Sequence, residues 1–261
     1  MNRTINYLKE NVIILFKTTI EYKANFYTTL IDQILYFFVN FIFIYVFSNL
    51  FGDIIGWSLE DFILFAVFLD LFRCFAGIFT WKYFPQAVLN GDLNQHLVKP
   101  MGVFKGFYLS KLSMIALLYV ISDILLLIIF ILFLDFNFTN FYLTIFISLI
   151  LIIFYLLAFL AIDSFSLLKD KLTDPINEIY FSGYRIFQEF PAQFFNRLSF
   201  KNIFLIYPTY FVSLLLIPVI RGHELSNFSF NFILLLLGVL ILFFITWINW
   251  KIGLKRYEAF N

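Results

Sequence analysis

Polar residues interrupt this chain seldom, and they divide it into apolar blocks of membrane length. Leu30 to Leu50 is one block, with Asp32 near its start. Phe62 to Phe84 is a second and carries Asp70 and Arg73. Leu112 to Leu134 is a third, with Asp123 near its middle. Phe141 to Ile162 and Phe232 to Trp250 contain no charge, and Asp163 follows the former. A helix crosses the hydrocarbon layer with roughly 20 apolar residues, so each block predicts a transmembrane helix. The stretch from Lys169 to Ile220 allows two readings. In one, Ile203 to Ile220 is the remaining span, interrupted by Pro208 and Pro218. In the other, Pro175 to Phe190 is a polar span, and Phe194 to Val219 dips partway into the membrane and returns. Irregular backbone is tolerated at that depth only where protein or a cavity covers it. Both readings give six spans, hence both termini on one side.

Two polar stretches break the pattern. Over residues 1–28, Ile5, Leu8, Val12, Leu15 and Phe16 share one helical face, while Arg3, Glu10, Lys17 and Glu21 share the opposite one. This predicts an interfacial amphipathic helix lying on the membrane. No secretory signal is expected there, because the longest uncharged apolar run, Val12 to Phe16, is too short. The second stretch, residues 85–111 between spans two and three, is longer than a connection requires. Asn90-Gly91-Asp92 is a turn or helix-start signal. Leu93, Leu97 and Val98 supply short apolar anchors. Lys99-Pro100 ends the element, because the residue before Pro avoids helical geometry. The result expected is a short helix across the membrane face, either one whose exposed leucines fit a partner's groove or a plain amphipathic connector.

The composition agrees. Of 261 residues, 62% are hydrophobic and 13% charged, against about a quarter charged in soluble domains. We expect one all-α integral membrane domain over 1–261. Net charge is +1 and gives no reason to expect nucleic acid. Lys and Arg sit in the N-terminal arm, in 82–111, at Lys169 and Lys171, and at Lys251, Lys255 and Arg256. Residues 51–61 and 135–140 have none. The positive-inside rule therefore predicts a multi-pass protein of the cell membrane with both termini and the polar excursion in the cytosol.

Catalytic patterns are missing from the sequence. It has no phosphate-binding loop for ATP, no nucleophile elbow and no His-Glu-x-x-His helix. Its single cysteine, Cys74, and its two histidines, His96 and His223, have no metal-ligand spacing. We therefore assign no catalytic, cofactor-binding or metal residue. The intramembrane charges are the next candidates. Asp70 and Arg73 share a helix face and can pair. They line a substrate path or fix helix packing, and Asp123 allows the same two readings, because intramembrane charges are costly and normally face protein. Asp163, at a span end, is expected to be solvated.

Three segments resemble a known family. Gly91-Asp92-Leu93-Asn94-Gln95-His96-Leu97-Val98-Lys99-Pro100 is similar to a Gly, acidic, Leu, variable, Leu, basic-Pro pattern after span two. Phe190-Pro191 with Tyr207-Pro208 resembles paired elements before the last span. Gly253-Leu254-Lys255-Arg256-Tyr257-Glu258-Ala259 looks like a characteristic ending. The family is that of ABC-2-type permeases, in the branch of small six-span subunits working with a separate ATPase. The resemblance implies that Asn90, Gly91, Asp92, Leu93, Leu97, Lys99 and Pro100 form a coupling helix on a cytosolic ABC ATPase. Two ATPase copies, holding ATP and Mg, would drive export. A second permease chain, identical or homologous, and membrane lipid would complete the assembly. It also favours Pro175 to Phe190 as span five, with an outer re-entrant element over 191–229 that includes Pro191, Tyr207, Pro208 and Pro218. His96 and Asn94 depart from the family's usual residues. Readings from other classes are a membrane-embedded transferase acting on lipids and a non-transporting sensor or immunity module. The first lacks a polar catalytic cluster, and a partner ATPase would argue against both.

Overall fold

The computed structural model describes residues 9–10, 12–14, 17, 21, 23–79, 84–97, 102–133, 140–168, 190–195, 207–222 and 227–257. Among them every regular element is helical. Helices α1 (Lys23–Ile55) and α2 (Leu59–Gly77) are followed by three short helices, α3 (Phe84–Leu89), α4 (Asn94–Leu97) and α5 (Val103–Ser110). Then come α6 (Met114–Phe133), α7 (Phe141–Ser166), a 3-10 turn (Ala192–Phe195), α8 (Pro208–Phe211), a π-turn (Val212–Leu216), α9 (Ile217–Arg221) and α10 (Phe228–Arg256). Four segments are long and apolar enough to cross a membrane: Ile31–Ile55, Met114–Leu132, Phe141–Ser166 and Phe228–Arg256. The molecule is an integral membrane protein on that composition.

Helix α2 also has membrane length, 19 residues, but carries Glu60, Asp61, Asp70 and Arg73. It can do so because it is the central helix: its side chains from Asp61 to Ala76 are largely buried against α1, α6, α7 and α9. Ser58 caps it, and the Ser58 amide donates to the Asp61 carboxylate at 2.8 Å, forming a capping box. The second span was expected to run to Phe84. It stops near Gly77, and Phe84 instead opens α3. The first helix starts at Lys23, inside the expected 1–28 arm, and its 33 residues extend past the bilayer at roughly 50 Å. Most of the arm lies outside the described residues.

Helix α7 packs against α2 on one side and α10 on the other. Ile147, Leu151, Phe154, Tyr155 and Ala158 form its buried stripe. Helices α1, α6 and α10 turn Ile34, Phe38, Ile128, Leu132, Leu240 and Phe244 outward. An apolar belt of this extent suits lipid, not water.

The rod from Pro208 to Arg221 is almost wholly buried between α2, α7 and α10. Its 14 residues span about 21 Å, short of the ~30 Å hydrocarbon layer. Pro208 occupies its first turn, where a missing amide costs nothing. Pro218 has no amide to continue the helix, and just before it the ladder widens: the Ile217 amide reaches back to Val212. That leaves the Ser213 carbonyl over, and Gln193 Nε2 donates to it at 3.0 Å. The Ala192 amide donates to Ser213 Oγ at 2.9 Å. Pro191, Tyr207, Pro208 and Pro218 thus belong to one buried unit. At its far end Arg221 pairs with Glu60 and donates to Asp61 at 3.0 Å. Asn140, beside α7's start, donates to the Val219 carbonyl at 3.3 Å. The rod therefore ends where α2 and α7 begin, the end opposite to the lysines. The alternative fifth span, Pro175 to Phe190, lies outside the described residues except at Phe190.

Candidate functional site

At the lysine-bearing end, α3, α4 and α5 fold over a small core of their own. It holds Phe84, Val88, Leu93, Val103, Phe107 and Tyr108, and Trp250, Leu254 and Tyr257 of the C-terminal segment pack against it. Phe84 is the hinge-pin: its ring stacks on Tyr108 at 5.7 Å and meets Trp250 of α10 at 5.1 Å. The Tyr108 hydroxyl donates to Asp163 of α7 at 2.7 Å. Complete burial, then the Asp163 carboxylate, hold the Tyr108 phenol well above its ordinary pKa, so it remains a donor. Asp163, expected in solvent, is buried because this hydroxyl reaches it.

The turn between α3 and α4 requires its glycine. Gly91 has φ of 76°, a left-handed conformation costly to side chains with a Cβ. After it the chain folds so that the Leu97 amide donates to the Leu93 carbonyl at 3.0 Å. Leu93 points into the core with no exposed surface, and His96 is buried against Gly106 and the edge of Phe107. The expectation that Leu93 is an exposed anchor is therefore corrected: in a single turn of helix, Leu93 and Leu97 do not share the outer face. The outer face carries Asn90, Asp92, Asn94, Gln95 and Leu97, with Gln86 and Leu89 from α3. Leu89 and Leu97 are 44% and 47% exposed. Leu89 was not singled out from the sequence, although its i, i+3 relation to Gln86 places both on one face of α3. Val98, Lys99 and Pro100 lie outside the described residues.

The intramembrane charges form a second group. Asp70 and Arg73 are ion-paired, as their spacing predicts. Arg73 also lies over the Tyr36 ring, 5.5 Å from its centroid, and donates to its hydroxyl at 3.4 Å. Asp123 of α6 is fully buried and faces Asp70, Arg73 and Cys74 of α2. Two adjoining cavities flank the ion pair. One, about 330 Å³, includes Tyr36, Asn40, Ala66 and Asp70 in its wall. The other, about 400 Å³, includes Tyr36, Asn40, Ala66 and Arg73. Tyr36 and Asn40, one helical turn apart on α1, had no signal in the sequence beyond being polar within an apolar block.

A family model described as ABC-2 family transporter protein matches residues 34–260. The chain belongs to this family. No curated protein and no solved structure matches it. Membership makes the chain a membrane component of a transporter and implies an ABC ATPase as partner.

The C-terminal segment of this ABC-2 permease has a packing reason for its glycine. A Cβ on Gly253 would lie 2.4 Å from Leu167 Cβ and 3.3 Å from its carbonyl carbon. Helix α10 can therefore approach the end of α7 this closely only with Gly253. Beyond it, Tyr257 packs on the small core that holds Leu93, and burial, then the Asp92 carboxylate, raise the pKa of its phenol. Gly253→Ala should lower the thermal unfolding midpoint in detergent, with overpacking worth about 1–3 kcal/mol. An unchanged midpoint would show that the two helices separate freely.

Proposed function

We propose that this chain is the permease subunit of an ABC exporter and that the turn over Asn90–Leu97 docks on a cytosolic ATPase. The reading rests chiefly on one observation. A polar surface bearing two exposed leucines, Leu89 and Leu97, is held rigidly on its own core and bolted to the ends of α7 and α10. A passive connection needs no such core. Amphipathic helical anchors framed by polar groups suit a groove in a partner.

Coupling then follows mechanically. Force on the turn reaches α10 through Phe84 and Trp250 and reaches α7 through Tyr108 and Asp163. Helix α7 is packed on α2 and the Pro208–Arg221 rod. The ATPase, holding ATP and Mg, drives transport only by favouring one arrangement of these helices over another. In this reading the chain has six spans, both termini lie in the cytosol, and the element at 191–229 enters the outer leaflet and returns. The lysine distribution supports the orientation, and the length of the rod supports the re-entrant element. The cavities beside Tyr36, Asn40, Asp70 and Arg73 open towards α1's lipid-facing side. Polar groups there are best covered by a second permease chain, which supports a pathway built from two chains served by two ATPase copies.

Affinity purification of the tagged chain from mild detergent, with mass spectrometry of the eluate, tests this reading. Recovery of a phosphate-loop ATPase is expected, together with either a second permease or a stoichiometry of two for this one. A folded chain that emerges alone would overturn the proposal.

A further inference from the structure

We propose that Asp70, Cys74 and Asp123 bind one divalent transition-metal ion of the borderline-soft class, with zinc as the type case. Asp70 and Cys74 are four residues apart and share a face of α2, and Asp123 meets them from α6. One ligand atom from each lies within 4.8 Å of the others. A tetrahedral ion with bonds of roughly 2.0–2.3 Å holds its ligand atoms some 3.5 Å apart, so side-chain adjustments of about an ångström close the set.

The carboxylate from α6 is the independent observation. Asp123 is fully buried, and no N–H or O–H group donates to either of its carboxylate oxygens. Asp70 gives Oδ1 to Arg73, while its Oδ2 is buried without such a donor. Three carboxylate oxygens therefore converge on the Cys74 thiol, a weak donor. Buried ionised groups are normally paired or bound to metal. The charges balance as well. When the ion displaces the protons of the thiol and both carboxyls, the site holds three negative groups against the guanidinium of Arg73. A divalent cation brings the total to zero, as a membrane interior requires. A thiolate beside carboxylates selects zinc-like ions over Mg or Ca, which prefer all-oxygen shells.

An open cavity of about 470 Å³ is lined by Thr28, Asp32, Leu35, Ile115 and Tyr119. Tyr119 donates to Asp32 at 3.5 Å. This acidic cavity at the lysine-bearing end stands one helical turn along α6 from Asp123. Three protein ligands leave a coordination position open for water or for a donor group on a transported molecule. The inference does not depend on the docking surface.

The test uses the full chain with a non-histidine tag, purified in lipid nanodiscs and titrated with Co²⁺. A near-ultraviolet thiolate-to-cobalt charge-transfer band should appear, saturate at one ion per chain and be displaced by Zn²⁺. Cys74 is the chain's single cysteine, so the band reports this site, and His96 and His223 cannot produce it. Cys74→Ser should abolish the band. Asp123→Asn is nearly isosteric and is expected to fold, as gel filtration would verify, yet to weaken Co²⁺ binding by about tenfold or more. No saturable band in the wild type overturns the proposal. So does equal affinity in wild type and Asp123→Asn, the signature of adventitious binding to the thiol alone.

Discussion

Leu93→Asp should destabilise the protein severely, whereas Leu97→Asp should leave its stability almost unchanged. The two leucines stand four residues apart in the same short segment. Leu93 has no exposed surface and is packed in the small core at the lysine-bearing end. A carboxylate there has no partner and no water, which places the cost on the order of 3–5 kcal/mol. Leu97 is about half exposed, and a surface change of this kind stays within about 0.5 kcal/mol. Thermal unfolding in detergent, followed by monodispersity on gel filtration, reads the difference. Equal midpoints for the two variants would mean that the segment has no core of its own.

The second large effect belongs to the ion pair in the membrane interior. Arg73→Gln leaves Asp70 and Asp123 buried together with no cation beside them, at about 3–5 kcal/mol for a broken buried pair. Asp70→Asn should be milder, because Asp123 stays close enough for Arg73 to feel it. The double variant should be less damaging than Arg73→Gln alone, because a lone buried charge is worse than none. Midpoints for the four members of the cycle measure this. Additive losses would show that Asp70 and Arg73 act independently despite their contact.

Much of this architecture was legible in the hydrophobic pattern. The blocks at 30–50, 141–162 and 232–250 became helices longer than the block, because helical geometry continues through the polar residues at the interfaces, and the block at 112–134 became the helix Met114–Phe133. The Asp70–Arg73 pair followed from spacing of three on a helix. What the pattern hid was set by tertiary packing. Periodicity could not show that Leu93 turns inward and Leu97 outward, because the positive-φ turn at Gly91 sets the direction of a helix only four residues long. Asp163 reads as a solvated span end until Tyr108, 55 residues earlier, is folded over it. Asp123 looks solitary because its neighbours are on another helix. Arg221 had no apparent partner because Glu60 and Asp61 are about 160 residues away in the chain.

Binding of the cognate ABC ATPase to this chain in nanodiscs, compared between wild type and a Leu89→Asp, Leu97→Asp double variant, tests the central claim most directly. Both positions are exposed, so the variant should keep the wild-type unfolding midpoint and lose the ATPase. Retention of the ATPase at wild-type affinity by that folded variant would contradict the assignment of this surface.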